Sequence, residues 1–295
     1  MPRMSPPGEF GMAPPDFRLP DATHVGRVRL QVSDLPRSLA YYRDVLGFHV
    51  GQHDAANARL HAAESERHLL ELHYERGTRP VPRNGVLGLY HFAILLPSRD
   101  ALGRFVRHLT HNRTQFGAAD HLVSEAIYLW DPDGLGIEVY ADRPRDTWRT
   151  DGRELMMTTE RLDLGALANA GGTGEWTAMP PGTTMGHVHL SVGNLEDASR
   201  FYHRGLGFDT TVWSYPGALF MSAGGYHHHL GTNTWAPGAR TASSGDARLL
   251  EWELVLPSET DVAAAEASLR TAGYRAREGV TNDPWGTALR LTAAA

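Results

Sequence analysis

The stretch GRVRLQVSDLPRSLAYYRDVLGF, residues 26–48, returns at residues 186–208 as GHVHLSVGNLEDASRFYHRGLGF, with no insertion or deletion between the two. A recurrence of this length marks an internal repeat, and the repeat unit decides the fold before any single residue does. Alternate positions are apolar in both copies, Val28, Leu30 and Val32 in one and Val188, Leu190 and Val192 in the other, the period of a half-buried strand. Asp34 or Asn194 follows as an N-cap, after which Leu39, Tyr42 and Leu46, like Ala198, Phe201, Tyr202 and Leu206, fall at helical spacing. Gly47 and Gly207 stand where a helix end wants a left-handed residue.

A second pair extends the repeat. YHFAILLPSRDALGRFVRHL from Tyr90 matches EWELVLPSETDVAAAEASL from Glu251 around a shared Leu-Pro-Ser, again as strand, turn and helix. The second copy ends in LWDPDGLGIEVY and the fourth in NDPWGTALRLT, where Asp-Pro-x-Gly is a turn joining two strands. Copies therefore begin near Gly26, Leu89, Gly186 and Leu250. The expected fold is α+β, with four βαβββ modules forming two curved-sheet half-barrel pairs, one of which holds a metal. Along the chain this gives a flexible, proline-rich tail at 1–20, modules 1 and 2 at 21–142, and modules 3 and 4 at 185–295. Between them lies a linker at 143–184 with a short helical stretch near Leu162–Ala170.

The 295 residues are enough for two ordinary domains, and 41% apolar and 21% charged residues with a net charge of −6 suggest neither disorder nor a basic nucleic-acid footprint. Small-molecule chemistry is the better expectation. With no cysteine in the chain, disulfides, thiolate nucleophiles and cysteine-bound metals are excluded, so any metal must sit on nitrogen and oxygen. No apolar run approaches the roughly 18 residues of a membrane helix, and Met1–Pro20 lacks the apolar core of a signal peptide. The reading is a cytoplasmic protein without membrane partners, assembled as a homo-oligomer.

Overlaying the four modules shows what each places at one point of its first strand: Arg27, His91, His187 and Glu251. At the matching point of the last strand the second module has Glu138 and the fourth has Arg290; the first offers Glu71, and the third the run Tyr226–His229. Two imidazoles and one carboxylate form the facial set that suits non-haem Fe(II) or Mn(II) and leaves positions open. His91, Glu138 and His187 make that set if modules 2 and 3 share a sheet, and Arg27, Glu71, Glu251 and Arg290 are then left to balance as ion pairs. Pairing sequential neighbours instead would aim Arg290 into a centre with His187, where a guanidinium repels a cation. The middle pairing is preferred.

Through these residues the chain resembles the vicinal oxygen chelate superfamily, and most closely the two-domain extradiol catechol 2,3-dioxygenases. The similarity runs from about His24 onward. It rests on GLYHFAILLPSR, AIYLWDPDGLGIEVYADRPRDTW, MGHVHLSV and GGYHHHLGTNTW; the helix motif SDLPRSLAYYRDVLGF marks only the superfamily. The resemblance implies ring opening of a catechol beside its two hydroxyls, with both atoms of O₂ inserted at a non-haem Fe(II), Mn(II) being the other metal such a set accepts. It carries the ligands onto His91, Glu138 and His187. A substrate-contacting tyrosine ten residues before the ligand glutamate is matched by Tyr128, and a histidine further upstream by His121, though the intervening segment is two residues shorter here. It also places an acid/base histidine within His227–His229, where His228 is chosen because the small residue of the family pattern, three positions on, is met by Gly231. The order of modules departs from that of the best-known relatives, whose third and fourth modules carry the metal.

Simpler readings stand beside these. A lone strand histidine is more often a satisfied core group than a ligand, and only the equivalent placement of His91 and His187 with Glu138 reverses that. His227–His229 read as part of an internal hairpin strand after Gly224 and Gly225. His24, His49, His53, His61, His68, His73, His108, His111, His189 and His203 call for nothing beyond packing or surface positions, and Asp131 and Asp133 for nothing beyond a turn. The expected function is an extradiol dioxygenase acting on catechol or a substituted catechol. The alternatives are a glyoxalase-like metal-dependent isomerase, which prefers a second carboxylate where this chain has its histidine run, and a metal-free binding or resistance protein of the same fold.

Overall fold

Each repeat folds as one strand, one helix and three further strands in the computed structural model, which describes residues 3, 4 and 10–294. After the short strand β1 (Arg3–Met4), module 1 comprises β2 (His24–Val32), α1 (Leu35–Asp44), β3 (His49–His53), β4 (Asn57–His61) and β5 (His68–Tyr74). Module 2 comprises β6 (Gly88–Leu95), α2 (Arg99–His111), β7 (Gly117–Asp120), β8 (Ser124–Trp130) and β9 (Gly136–Asp142). The connecting segment adds β10 (Arg149–Asp151), β11 (Glu154–Leu155) and α3 (Leu164–Ala170). Module 3 has β12 (Thr184–Ser191), then α4 (Leu195–Ala198) widening into π-helical turns over Ser199–Gly205, then β13 (Asp209–Val212), β14 (Ala218–Ser222) and β15 (Leu230–Asn233). Module 4 has β16 (Arg248–Leu256), α5 (Glu259–Thr271), β17 (Ala276–Arg277), β18 (Val280–Asn282) and β19 (Ala288–Ala293).

The helices start where the repeat predicts, because each module supplies a capping side chain there. Asp34, Ser98, Asn194 and Ser258 accept from the backbone N–H groups of Arg37, Ala101, Asp197 and Asp261. Each such cap contributes about 1 kcal/mol.

Within a module the first strand runs parallel to the last, as β6 does to β9 and β12 to β15. Modules then join through their first strands, antiparallel, β12 to β6 and β16 to β2. The result is two eight-stranded sheets, β13-β14-β15-β12-β6-β9-β8-β7 and β17-β18-β19-β16-β2-β5-β4-β3. Modules 2 and 3 thus share one sheet and modules 1 and 4 the other.

Strand alternation gives each first strand two jobs. Val28 and Leu30, Phe92 and Ile94, Val188 and Leu190, and Trp252 and Leu254 enter one apolar core common to both sheets. The intervening residues occupy the opposite faces, where Ala93, Ala126 and Tyr140 form a separate small cluster. Sequential modules also touch through their turns. Tyr42 on α1 donates to Asp131 Oδ2 at 3.1 Å, and Tyr202 donates to Asp283 Oδ2 at 2.9 Å. Asp131 and Asp283 are turn residues, as the sequence suggests, and each also anchors the helix of the preceding module.

Two expectations need correction. Of the loose tail, residues 1, 2 and 5–9 lie outside the described residues, but residues 10–20 pack along module 3. Leu19 is buried, Arg18 forks onto Asp209, and Met12 exchanges backbone hydrogen bonds of 2.8 and 2.9 Å with Thr210. His227–His229 lie in the bend between β14 and β15 rather than in a strand, since Gly224 and Gly225 both take positive φ just before them. No helix is long and apolar enough to cross a membrane among the described residues.

Candidate active site

The first strands of modules 2 and 3 lie side by side; His187 on β12 pairs with Ala93 and His189 with His91 on β6, so His91 and His187 meet diagonally across the antiparallel ladder, their rings 5.5 Å apart. Parallel pairing of β6 with β9 then places Glu138 opposite Ala93, two residues along from His91 and on the same face of the strand. Glu138 Oε2 lies 3.0 Å from His91 Nε2 and 3.2 Å from His187 Nε2. All three side chains are buried, and one ligand atom from each falls within 4.8 Å of the others. Among the described residues this is the one such cluster of metal-ligating groups.

The arrangement fits a cation better than it fits itself. Burial raises the Glu138 carboxyl, but His187 and His91 more than offset it, and the balance lies well below the ordinary glutamate value. Burial lowers His187 to about 4 against the pull of Glu138. An ionised carboxylate beside a neutral imidazole is the state in which ligands bind metal. His91 Nε2, although close to Glu138, is oriented so that it makes no hydrogen bond, and His187 Nδ1 and His189 Nε2 are likewise buried without partners. A polar atom left so costs about 1–3 kcal/mol unless something else completes it. A divalent cation between His91, Glu138 and His187 would complete His91 Nε2.

Above the trio opens a cavity of about 340 Å³, room for a single-ring molecule. Leu129, Ile137, Met157 and Phe220 give it apolar walls, while His121, Tyr128, His189 and His228 bring polar groups. Trp235 stands at its rim, 42% exposed, its indole N–H bonded to Pro216 O at 2.9 Å. The sequence-predicted groups converge here. Tyr128 on β8 pairs with Glu138 across the ladder, and His121 Nε2 lies 2.6 Å from the Tyr128 hydroxyl. His121 Nδ1 is 2.6 Å from Thr158 O, which can only accept, so Nδ1 carries the proton. In the neutral ring Nε2 is then a lone pair, so Tyr128 donates its O–H to it and turns an acceptor oxygen to the cavity. A second proton on His121 reverses the pair and frees the Tyr128 O–H for a bound oxygen.

The histidine run divides. His228 lines the cavity with its ring 4.0 Å from that of His187. His227 is fully buried behind it, and His229 turns away, its Nδ1 3.1 Å from Ser222 Oγ. Close approach fixes this corner. A Cβ on Gly186 would fall 1.8 Å from the Tyr140 hydroxyl, and one on Gly231 would fall 2.9 Å from the His189 ring.

Sequence reasoning missed two contributions. His189 shares the inward face with His187, two residues along β12, and packs by tilted and edge-on ring contacts among Tyr90, His91 and Trp235; the period-2 pattern already put it there. The linker, read as a mere separator, supplies Met157, Thr158 and Thr159 to the cavity wall. It is tied on by mutual backbone hydrogen bonds between Asp120 and Glu160 at 2.9 and 3.0 Å. No motif in it announces that role.

The other sheet fills the equivalent centre with charge pairs. Arg27 reaches Glu71 at 3.0 Å and Glu251 at 3.1 Å, Arg290 reaches Glu251 at 2.9 Å, and Arg29 reaches Glu71 at 3.2 Å. The pairing expected of the leftover positions is therefore present.

Comparison with known proteins agrees with this architecture. The chain is 44% identical over 264 residues to the catechol-2,3-dioxygenase of Bacillus subtilis (strain 168), covering 87% of this chain and 90% of that one. Among solved structures, glyoxalase I of Zea mays (V278E mutant) superposes with a TM-score of 0.53 at 16% identity, covering 92% of each chain. A candidate dioxygenase of Bacillus subtilis gives a TM-score of 0.61 at 12% identity, over 94% of this chain and 86% of that one. At such identities these two speak for the fold alone. The model of the Glyoxalase/Bleomycin resistance protein/Dioxygenase superfamily matches residues 24–139 and 184–290, one span ending on Glu138's neighbour and the other opening on the strand of His187, and the chain belongs to that family.

Proposed function

We propose that the protein is an extradiol dioxygenase that opens the ring of catechol, or of a substituted catechol, beside its hydroxyls and inserts both atoms of O₂. The observation that carries this is the buried trio of His91, Glu138 and His187, of which His91 and Glu138 line a single-ring cavity, in a chain 44% identical to a catechol-2,3-dioxygenase. Two imidazoles and one carboxylate favour Fe(II), with Mn(II) as the other candidate. The cation, when bound, would supply Lewis acidity to the catechol oxygens and bring substrate and O₂ together.

The chain's own groups do the rest. His228 stands beside the trio and takes the second catechol proton at a ring nitrogen, returning it later in the reaction. Tyr128 accepts from or donates to a catechol oxygen according to the proton on His121, and Thr158 O keeps that imidazole in register. Leu129, Ile137, Met157 and Phe220 clasp the ring and keep water away. The isomerase alternative wants a further carboxylate at the metal; among the described residues none joins the trio.

The test is anaerobic loading with Fe(II), then catechol and O₂, following the yellow ring-fission product. Its appearance in proportion to bound iron is expected. Its absence with several catechols, in protein that retains the metal, overturns the reading.

A further inference from the structure

Behind His228 runs a line of hydrogen bonds that ends at the surface. His228 Nδ1 lies 2.7 Å from His227 Nδ1, and His227 Nε2 lies 2.9 Å from Asp142 Oδ1. Asp142 also accepts from the Tyr226 hydroxyl at 3.1 Å, and Tyr226 lies 2.7 Å from the Tyr140 hydroxyl. Because Tyr226 spends its proton on Asp142, Tyr140 is the donor in that last pair, and every bond of the cluster points toward the carboxylate. The backbone is held as well, with Thr211 Oγ1 donating to His227 O at 2.7 Å.

Directions along this line follow from which atoms can only accept. A carboxylate offers no proton, so His227 Nε2 carries one. The ring between Asp142 and His228 is wholly buried. With one proton per imidazole, His227 places its own on the Asp142 side, its Nδ1 is a lone pair, and the proton between the two rings belongs to His228. That leaves His228 Nε2 bare, on the one ring of the run that lines the cavity.

We infer that Asp142 and His227 are positioning residues that hold His228 in the tautomer whose Nε2 lone pair faces the cavity, a role that rests on the dioxygenase reading above. A base must arrive deprotonated at the atom that meets the substrate. This line presets that atom before any catechol binds, much as a carboxylate fixes the histidine of a hydrolase triad. The same bonds assign work to Tyr140 and Gly186, since the missing Cβ of Gly186 gives the Tyr140 hydroxyl its place at the head of the chain.

The experiment combines two readouts. Protein loaded with diamagnetic Zn(II) and labelled with ¹⁵N-histidine reports the tautomer of His228 by long-range ¹H–¹⁵N correlation. The proton is expected on Nδ1 in the unaltered chain and on Nε2 in Asp142→Leu, where His227 has lost its acceptor and turns its own proton toward His228. Asp142→Asn, whose amide oxygen can still accept, retains the original tautomer. In the Fe(II)-loaded enzyme, Asp142→Leu is expected to lower kcat for catechol about 100-fold, the scale of a lost general base. KM stays within about threefold, because substrate binding is not what was removed, and Asp142→Asn recovers most of the loss. A proton on His228 Nε2 in the unaltered protein, or kcat unchanged in Asp142→Leu, overturns the inference. If the unaltered enzyme cleaves no catechol, the dioxygenase reading fails, while the tautomer measurement still decides the role of Asp142 and His227.

Discussion

The two sheets are built from one four-stranded unit and diverge at the residues that face their concave centres. His187 and His189 of the third module occupy the positions of Arg27 and Arg29 in the first; His91 and Glu138 of the second occupy those of Glu251 and Arg290 in the fourth. In one centre two imidazoles and a carboxylate converge with a nitrogen left unpaired. In the other, each arginine finds a glutamate. Burial differs too: side-chain exposure is 7%, 3% and 1% for His91, Glu138 and His187, against 22%, 12% and 35% for Arg27, Glu251 and Arg290. The fold supplies convergence in both places, and electrostatics decides what converges. A centre whose charges are already paired among themselves offers a cation nothing.

The largest effect expected of this contrast comes from matched substitutions. Glu138→Gln removes the one carboxylate of the trio, and both bound metal and ring cleavage should fall by more than about 10³-fold, beyond the 10–100-fold typical of outer-sphere changes. Glu251→Gln, at the other centre, should leave metal content and turnover unaltered. It should lower stability by about 1 kcal/mol, modest because the pairs are partly hydrated. Metal analysis and urea unfolding of both variants give the answer, and equal loss of metal in the two would dissolve the distinction.

A harder test builds the missing site. Arg27→His, Glu251→His and Arg290→Glu together restore at the outer centre the ligand types found at the inner one, and bound divalent metal should rise from one to two per chain. Arg29 remains beside Glu71 and opposes the new cation, so the second ion should bind more weakly. Calorimetric titration that finds a single site in a folded triple variant would mean that convergence alone is insufficient.

Tyr128 sharpens the contrast on a smaller scale. It sits opposite Glu138 in the ladder as Val280 sits opposite Arg290, so the two centres differ by a hydroxyl as well. Tyr128→Phe should lower kcat about tenfold, the worth of one hydrogen bond to a developing charge. Val280→Ala should not change turnover. Single-turnover rates with catechol separate this from an effect on binding.

How much of this was readable beforehand follows the distance over which each feature is encoded. Helix starts were legible because Asp34, Ser98, Asn194 and Ser258 cap by contacts three residues away. The convergence of His91, Glu138 and His187 was legible because a repeat turns a long-range contact into a comparison of equivalent positions. Sheet pairing followed from charge, since Arg290 cannot share a centre with a cation. The linker's part in the cavity was not legible, because Thr158 acts through its backbone carbonyl, which every residue possesses. His189 was passed over although its spacing from His187 puts it on the same face. A single histidine on a strand carries no sign of whether its nitrogen has a partner. The histidine run was misread as strand because the local pattern cannot show that Gly224 and Gly225 bend the chain first.

The last difference lies in the two Asp-Pro turns, which are otherwise near copies. Asp131 accepts from Asp133 N and Leu135 N and from Tyr42; Asp283 accepts from Trp285 N and Thr287 N and from Tyr202. Burial raises both carboxyls, Asp131 to about 7 from an ordinary 3.8. Asp133 adds a repulsion that Asp283 lacks, because Trp285 stands in the matching place. A carboxyl whose folded pKa is raised holds its proton more tightly in the folded state. Its contribution to stability is complete below about pH 4 and is lost as the pH climbs through about 7. Urea midpoints should therefore decline across that window, and Asp131→Asn, which cannot ionise, should flatten the decline while Asp283→Asn changes it less. A slope that survives Asp131→Asn would show that the second turn, or another group, titrates there instead. Asp133→Asn should lower the Asp131 pKa toward that of its twin, at the expense of the contacts Asp133 makes with Ser33 and Arg37.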